Sequence, residues 1–218
     1  VVLELKQHEL VREKNQVLVA TPVGKRASEL YLDPLTAVSF LDFISKKEKT
    51  EFDFIFALQS ASEARPLLSV SKKEEQELWE EAYSVVENLS DFNALEKYKS
   101  AKLLNAWVNE ATEDEVLQNF DIPPGVLHAR MKIMDWLSYS IQELAYLQNK
   151  SEDFILSKQM RRRIRHGIKK ELLSVCSVKG IGRARGRKLF NAGIKTAEQL
   201  NALPKEEVKR ILREKSTA

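Results

Sequence analysis

Apolar side chains recur every three or four residues over most of this chain, a spacing that is typical of amphipathic helices. The pattern predicts two helices within 34–59, interrupted around 46–50. The later predicted helices lie at about 73–89, 92–110, 112–120, 124–148 and 151–170, with short helices to about 213. The predicted fold class is therefore mainly α.

The pattern changes near the N-terminus. Residues 1–12 are predicted as the end of a helix, and 16–21 alternate in the manner of a short, valine-rich strand. Residues 22–25 then read as a turn and 27–32 as a partner strand, before Asp33-Pro34 begins the next helix. This order of elements, in which a two-stranded hairpin lies between two helices, predicts part of a winged-helix domain with a small β wing.

Size and composition exclude several classes of protein. The 218 residues suffice for up to three small domains, and no apolar run approaches 18 residues, so we expect no membrane partner. The lone Cys176 excludes an internal disulfide framework and fits a reducing, cytoplasmic location. The chain starts Val-Val-Leu-Glu-Leu without Met, and we expect a fragment of a larger protein.

Charge is distributed unevenly along the chain. The net charge is only +3, yet residues 158–195 hold 13 Lys and Arg against one acid, Glu171. That segment therefore carries +12, and −9 remains for the rest of the chain. Such asymmetry indicates a polyanionic partner at the C-terminal end.

A glycine-rich turn lies inside this basic segment, in the run SVKGIGRARGRKLFNAGIKTAEQL. Two glycines on either side of one apolar residue allow a tight turn, and the backbone N–H groups that open the next helix have no partner there. These groups form an anion site, for which DNA phosphate is the obvious ligand. The candidate phosphate-binding residues are Lys179, Gly180, Ile181, Gly182, Arg183, Arg185, Arg187 and Lys188.

Two other interpretations of this turn stay open. Gly180, Gly182 and Gly186 also have the spacing of a dinucleotide-binding turn, which has to follow a buried strand and open a βαβ unit. The preceding LLSVCSV continues a basic helical pattern instead, and no second strand is predicted downstream. The turn could also be a purely structural link between helices.

The long predicted helix at 124–148 carries a candidate base-stacking residue. Its core face is predicted to hold Val126, Met134, Leu137, Ile141 and Leu144. Trp136 falls at the edge of that face, with His128, Lys132 and Tyr139 nearby. A half-exposed aromatic ring beside cations suits stacking on an unpaired base. Simple packing on a neighbouring helix explains the same position.

The remaining chemistry-bearing residues give weaker signals. Arg161, Arg162, Arg163 and Arg165 spread around one helix, so some must face solvent, an acidic partner or phosphate. The three histidines lack metal-ligand spacing, and no arrangement suggests nucleophilic catalysis. We therefore expect no metal site and no catalytic residue.

Two resemblances rest on these motifs. Gly180-Ile181-Gly182 with Gly186 and Leu189 resembles the helix-hairpin-helix motif of DNA-binding proteins, although alanine is usual where Gly186 stands. Four segments together resemble the C-terminal part of the archaeal fork-processing superfamily 2 DNA helicases, relatives of the helicase half of polymerase theta. They are VATPVGKRASELYLDPLTA, ARPL, the stretch from AWVNEA to IPPGVLHARMKIMDWLSYSIQELA, and RHGIKKELLSVCSVKGIGRARGRKLFNAGI.

The second resemblance implies a domain organisation and roles. It implies a partial winged helix over 1–50 that packs on motor domains, a helical ratchet domain over 51–157, and a helix-hairpin-helix domain over 158–218. Trp136 matches a tryptophan that stacks on a base in that family. Ala129 stands where the family often has arginine, so we hypothesise that Lys132 or His128 supplies the nearby charge. The implied partners are single-stranded and forked DNA, the motor domains and replication proteins.

The motifs of the motor itself do not occur in this sequence. A superfamily 2 ATPase needs a glycine-rich phosphate loop and an acidic metal-binding motif. Gly24-Lys25 is the only Gly-Lys pair, and Val19 stands where the loop's first glycine belongs. We expect that this chain alone is not an enzyme and binds no cofactor. ATP and Mg²⁺ are expected for the parent protein, which resembles an ATP-dependent 3′–5′ helicase acting in replication-fork repair.

Three other functions remain open from the sequence. One is a stand-alone winged-helix and helix-hairpin-helix regulator that prefers a duplex sequence. Another is a base-excision enzyme, but the catalytic Asp expected about 20 residues after the hairpin is missing, and Glu206 is the nearest acid. The last is a protein-interaction module that uses the acidic part of the chain.

Overall fold

The computed structural model describes residues 2–86 and 93–213. Over these residues the chain is mainly helical with one two-stranded sheet, which confirms the predicted fold class. The ends of the predicted helices at 87–89 and 92 lie outside the described residues. In chain order the elements are α1 Val2–Gln7, β1 Val11–Lys14, β2 Val17–Ala20, α2 Pro22–Glu29, α3 Pro34–Ser45, α4 Glu51–Ser60, α5 Glu75–Val85, α6 Ala94–Val108, α7 Glu113–Phe120, α8 Pro124–Leu147, α9 Ser151–His166, the 3-10 turns Lys170–Leu172 and Val175–Ser177, α10 Arg183–Asn191, α11 Ala197–Ala202 and α12 Lys205–Arg213.

The N-terminal hairpin differs from the prediction. β1 and β2 pair antiparallel with Val11 opposite Ala20, so the partner strand precedes the valine-rich strand and does not follow it. Asn15 and Gln16 adopt left-handed φ angles of 53° and 62°, as in a two-residue type I′ turn. The predicted helix over 1–12 is therefore wrong in its second half, because α1 ends at Gln7 and β1 begins at Val11. Nothing in the sequence marks the hairpin, since its turn lacks the Asn-Gly pair that usually indicates a type I′ turn.

The predicted turn at 22–25 and strand at 27–32 are wrong, because most of this segment forms α2. Thr21 begins the helix by accepting a hydrogen bond from the backbone N–H of Gly24 at 3.1 Å, and Pro22 takes the first helical position. Gly24 packs directly on the hairpin. A Cβ atom there would lie 1.9 Å from the carbonyl oxygen of Leu10, so only glycine permits this approach.

Other helix starts follow local capping chemistry. Asp33 begins α3 by accepting a hydrogen bond from the N–H of Leu35 at 2.8 Å, as the Asp-Pro pair predicts. Thr50 and Thr112 open α4 and α7 with capping boxes, in which the acidic residue three positions later bonds back to the threonine N–H. These caps fix where the helices begin and so determine which face of each helix meets the core.

The main hydrophobic core extends from Leu10 to Ile164, and α8 runs through it. Along α8 the fully or nearly fully buried apolar residues are Leu127, Met131, Met134, Leu137, Ile141 and Leu144. The predicted core face is therefore confirmed except at Val126, which is 46% exposed. Pro124 starts the helix only two residues earlier, so Val126 lies in a first turn that extends beyond the core.

The C-terminal region has small cores of its own. One contains Val175, Leu189, Ile194 and Leu200, and the other contains Ile168, Leu172 and Cys176. Ile181 packs against both. The predicted boundaries at 50 and 157 stay a prediction, although both lie inside the main core, which takes in Phe43 and Phe54 around the first and Met160 and Ile164 beyond the second.

Substitution of Gly24 by alanine should destabilise the protein. The added methyl group collides with backbone at Leu10, and we expect a loss of about 1–3 kcal/mol in the free energy of unfolding. The matched control is Gly125→Ala at the start of α8, where a Cβ meets nothing within 4 Å. Alanine is the better helix former there, so the control should be neutral or stabilising by up to about 1 kcal/mol. Urea unfolding followed by circular dichroism measures both, and equal effects would contradict the role assigned to Gly24.

Candidate nucleic-acid interface

The predicted glycine turn, residues 178–182, connects the 3-10 turn Val175–Ser177 to α10. Gly180 has a φ of +86°, a left-handed conformation that favours glycine. Ile181 between the glycines is half-buried against the two C-terminal cores, and its N–H bonds to the Val178 carbonyl at 3.1 Å. A Cβ at Gly180 or Gly182 would meet nothing within 4 Å. One apolar side chain therefore anchors the turn while both glycines face open space.

The backbone donors of this turn are available to a ligand. Among the described residues, no hydrogen bond uses the N–H of Gly180, Gly182, Arg183 or Ala184. The carbonyl of Gly182 is occupied, because it accepts the N–H of Gly186 at 2.8 Å. Free N–H groups at the start of a helix carry the positive end of the helix dipole, so the geometry suits an anion.

Two exposed cations flank these donors. Lys179 is exposed beside Gly180, and no acidic partner for it is recorded in the described part of the chain. Arg185 is also exposed, and one of its guanidinium nitrogens donates to the carbonyl oxygen of Gly180 at 2.9 Å. That bond holds the Arg185 charge next to the unpaired N–H groups and leaves its other donors free.

Gly186 has a packing role that its position in the motif does not predict. A Cβ at Gly186 would lie 2.4 Å from the Sγ of Cys176, which fills the space an alanine would need. Burial raises the pKa of the Cys176 thiol, so the sulfur stays a neutral packing group. The glycine and the cysteine are therefore complementary in volume.

Two basic residues of α10 join it to the bundle instead of facing outward. The Arg183 guanidinium lies over the Trp107 ring, 5.1 Å from its centroid, and burial lowers the pKa of Arg183. Arg187 pairs with Glu110 and, at 2.8 Å, with Glu171. Two of the candidate phosphate-binding residues, Arg183 and Arg187, are therefore engaged in contacts within the protein.

Trp107 is a residue that the sequence-based reasoning missed. Its indole N–H donates to the carbonyl of Ile164 at 2.7 Å, and its ring lies against Gly167, where a Cβ would be 2.7 Å away. Periodicity places Trp107 on a buried face of α6, but nothing in the sequence links it to an arginine on α10. Its contact with Arg183 is visible only in the fold.

The four arginines of α9 have different environments. Arg163 is 2% exposed and donates to Glu51, Ile168 and Val108, so it stabilises the interior and offers no surface charge. The other three keep part of their surface. Arg161 and Arg165 share the carboxylate of Asp135 at 2.8 Å each, and Arg162 donates to the Leu173 carbonyl at 2.7 Å.

Lys188 and His166 are two further residues of the basic segment. Lys188 is half-buried and donates to the Leu212 carbonyl at 3.3 Å. Burial and the neighbouring Arg165 and Arg162 lower the pKa of His166, so its ring adds no positive charge near neutral pH. Part of the positive charge that the sequence places in this region is therefore paired with carboxylates of the protein itself.

Trp136 is half-buried, with part of its ring at the surface of α8. Its indole N–H donates to the carbonyl of Leu30 at 3.1 Å, which fixes the ring against the end of α2. Lys132, one turn earlier, is exposed, whereas His128 pairs with Glu113 at 3.0 Å. The packing interpretation and the stacking interpretation both agree with this geometry, because the ring is held and still partly accessible.

Segments distant in sequence meet along α8. Leu30 of the first family-like segment accepts from Trp136, and Pro66 of the second accepts from Arg130 at 2.6 Å. Arg130 is half-buried there, about 120° around the helix from Trp136. Arg165 of the fourth segment pairs with Asp135 of α8, so the structure brings together all four segments that carry the resemblance.

Other kinds of site are not found in residues 2–86 and 93–213. No cluster of three or more His, Cys, Asp and Glu side chains in these residues has the arrangement of a metal site. None of the described helices combines the length and apolarity needed to span a membrane. The segment 170–178 forms 3-10 turns and no strand, so the dinucleotide-binding interpretation loses the βαβ unit it requires.

The fold and the family comparison agree on the class of protein. The structure defines a helical bundle with a two-stranded hairpin near its N-terminus and a basic C-terminal region that contains the glycine turn. Residues 40–167, more than half of the chain, match the family model described as archaeal helicase, domain 4. The chain belongs to this family, and the resemblance to archaeal helicases is confirmed.

Several relatives share most of this chain. It is 35% identical over 199 residues to the ATP-dependent DNA helicase Hel308 of Methanocaldococcus jannaschii, which covers 88% of the chain and 16% of the relative. The Hel308 of Pyrococcus abyssi is 34% identical, with 85% of the chain and 27% of the relative covered. That of Thermococcus kodakarensis is 35% identical, covering 86% and 18%. The chain thus spans between 16% and 27% of the length of these relatives.

The fit between Gly186 and Cys176 predicts a non-additive pair of mutations. Gly186→Ala alone should lower the free energy of unfolding of the C-terminal region by about 1–3 kcal/mol, because the methyl group overlaps the sulfur. In a Cys176→Ala background the same change should be neutral or stabilising, since alanine favours the helix. A double-mutant cycle by thermal unfolding measures the coupling, and additive effects would show that the two positions do not compete for space.

Proposed function

We propose that this chain is the non-motor, DNA-binding part of an ATP-dependent DNA helicase. In this proposal it binds single-stranded and forked DNA through phosphate contacts and base stacking, and couples translocation of the motor to unwinding during replication-fork repair. Membership of the archaeal helicase family and the Hel308 relatives support the assignment. In this proposal residues 1–50 form the partial winged helix, 51–157 the ratchet domain and 158–218 the helix-hairpin-helix domain of such a helicase.

The observation that carries the proposal is the exposed glycine turn. It presents backbone N–H groups with no recorded partner in the described structure, at the start of a helix, between the cations of Lys179 and Arg185. Backbone donors recognise phosphate without reading bases, so binding should depend on salt and little on sequence. Arg162 and Arg165 on α9 are further candidates for phosphate contacts, because both retain exposed surface.

Trp136 supplies the second part of the proposal. The bond from its indole N–H to Leu30 and its packing on the core hold the ring in one orientation. A fixed, partly exposed ring stacks on any base at small entropic cost, which suits a protein that moves along a strand of arbitrary sequence. Lys132 is the better candidate for the accompanying charge, since Glu113 already pairs with His128.

The chain is proposed to need other domains for activity. ATP hydrolysis, with its Mg²⁺, would belong to motor domains of the parent helicase, and this chain alone would neither hydrolyse ATP nor unwind DNA. Replication proteins are additional proposed partners. The alternative, a stand-alone duplex-binding regulator, predicts a preferred duplex sequence. Competition of random single strands and forks against random duplexes for labelled DNA separates the two, because a regulator would be displaced best by duplex.

Removal of a phosphate-binding charge should change the salt dependence of binding. We expect Lys179→Ala and Arg185→Ala each to weaken binding of single-stranded DNA and to reduce the slope of log affinity against log salt by about 0.7–0.9. Lys73→Ala, which removes an exposed charge in the loop before α5, is the matched control and should leave the slope unchanged. Fluorescence anisotropy at several salt concentrations measures the slope, and salt-insensitive binding would contradict the phosphate contacts.

Loss of the Trp136 ring should weaken binding to unpaired bases. Trp136→Ala is expected to cost about 1–3 kcal/mol in affinity for single-stranded DNA, while Trp136→Phe retains most of the stacking. Lys132→Ala should weaken binding and lower the salt slope if Lys132 supplies the neighbouring charge. The same anisotropy assay reports all three, and an unchanged affinity of Trp136→Ala would leave Trp136 with only its packing role.

A further inference from the structure

Tyr31 is an unusual residue at the end of α2. Its side chain is 87% exposed, more than any other large apolar or aromatic side chain in the described residues. Its φ is +58°, in the left-handed region. The N–H of Tyr31 bonds to the Ser28 carbonyl and that of Leu32 bonds to the Ala27 carbonyl, each at 3.0 Å. This is the Schellman arrangement, in which Tyr31 takes the place usually filled by glycine.

No buried contact of the Tyr31 side chain offsets the strain of its left-handed backbone. A bulky side chain in the left-handed region is strained, and a fully packed contact would be the ordinary compensation. Tyr31 has no such contact, although Leu30 and Leu32 on either side are 7% exposed each and hold the backbone in place. A strained residue with an exposed aromatic ring indicates that the ring serves a ligand.

The position of Tyr31 identifies that ligand. The carbonyl of the preceding residue, Leu30, accepts the indole N–H of Trp136, so the backbone that enters Tyr31 lies beside the Trp136 indole. On the other side, Asp33 and Glu63 lie together, with the Glu63 carboxylate accepting the N–H of Asp33 at 2.7 Å. These carboxylates would repel a phosphate, whereas the face of an uncharged base is tolerated. The surroundings therefore favour a nucleobase over a backbone contact.

We infer that Tyr31 is a second stacking residue, which binds an unpaired base adjacent to the base at Trp136. This inference rests on the proposed function, since it needs a single strand along α8. The two rings form a platform, defined as Tyr31 and Trp136, on which neighbouring bases of one strand lie. Lys132 is exposed on α8 one turn before Trp136, and it would pair with the intervening phosphate.

The test compares variants that remove the ring and relieve the strain. Tyr31→Gly and Tyr31→Asn suit the left-handed conformation, so both should fold, and Tyr31→Gly should raise the melting temperature by about 2–4 °C. Their dissociation constants for a labelled oligothymidylate should nevertheless rise about five-fold or more. Tyr31→Phe should stay within about two-fold of the unmodified chain, because it keeps the ring.

Two controls isolate stacking from other effects. Tyr83→Ala removes a tyrosine that is 72% exposed on α5, and it should leave binding unchanged. An oligonucleotide of the same length with abasic sites keeps its phosphates but offers no ring, so the unmodified chain and Tyr31→Gly should bind it equally. Equal weakening on abasic and normal strands would overturn the stacking role.

The outcomes separate this inference from the function on which it rests. If Trp136→Ala weakens binding and Tyr31→Gly does not, the role of Tyr31 is overturned while the proposed function stands. If the unmodified chain fails to bind single-stranded DNA at low salt, both are overturned. A more stable Tyr31→Gly variant that binds more weakly supports the inference, because loss of structure cannot explain a change in that direction.

Discussion

Burial of the apolar stripe of α8 is the constraint on which the rest of the structure depends. This helix packs against α2, α3, α4 and α9, so the position of each of those elements depends on α8. Its other face carries Asp135, Trp136 and Tyr139, which therefore occupy fixed places relative to one another. Any ligand that meets this face meets a preorganised surface.

The C-terminal region is joined to this bundle by charge as well as by packing. Arg183 on Trp107 and Arg187 with Glu110 connect α10 to the end of α6, and Arg163 connects α9 to α4 through Glu51. A basic segment thus serves two purposes, because part of its charge stabilises the protein and the remainder faces solvent. Lys179 and Arg185, on either side of the glycine turn, belong to the exposed part of this charge.

Local signals determined how much could be predicted. The helices follow from periodicity and capping residues such as Asp33 and Thr50, and the glycine turn follows from residue types that need no distant partner. The strand pairing of the hairpin was not predictable, because Asn15-Gln16 is an uncommon turn pair. The helix that begins at Thr21-Pro22 was mistaken for a turn and a strand, because its short sequence pattern is compatible with both. The burial of Arg163 and the internal pairing of Arg187 depend on carboxylates that are far away in sequence. A single sequence does not reveal such pairs.

The close fit of Cys176 against Gly186 has an evolutionary consequence. The helix that follows the glycine turn can approach the preceding segment only where one of these two positions lacks bulk. A homologous chain that carries alanine at 186 would need a smaller residue at 176, and the two sites should covary. The same contact hides the lone thiol behind α10, so oxidation of the sulfur would first require that helix to move away.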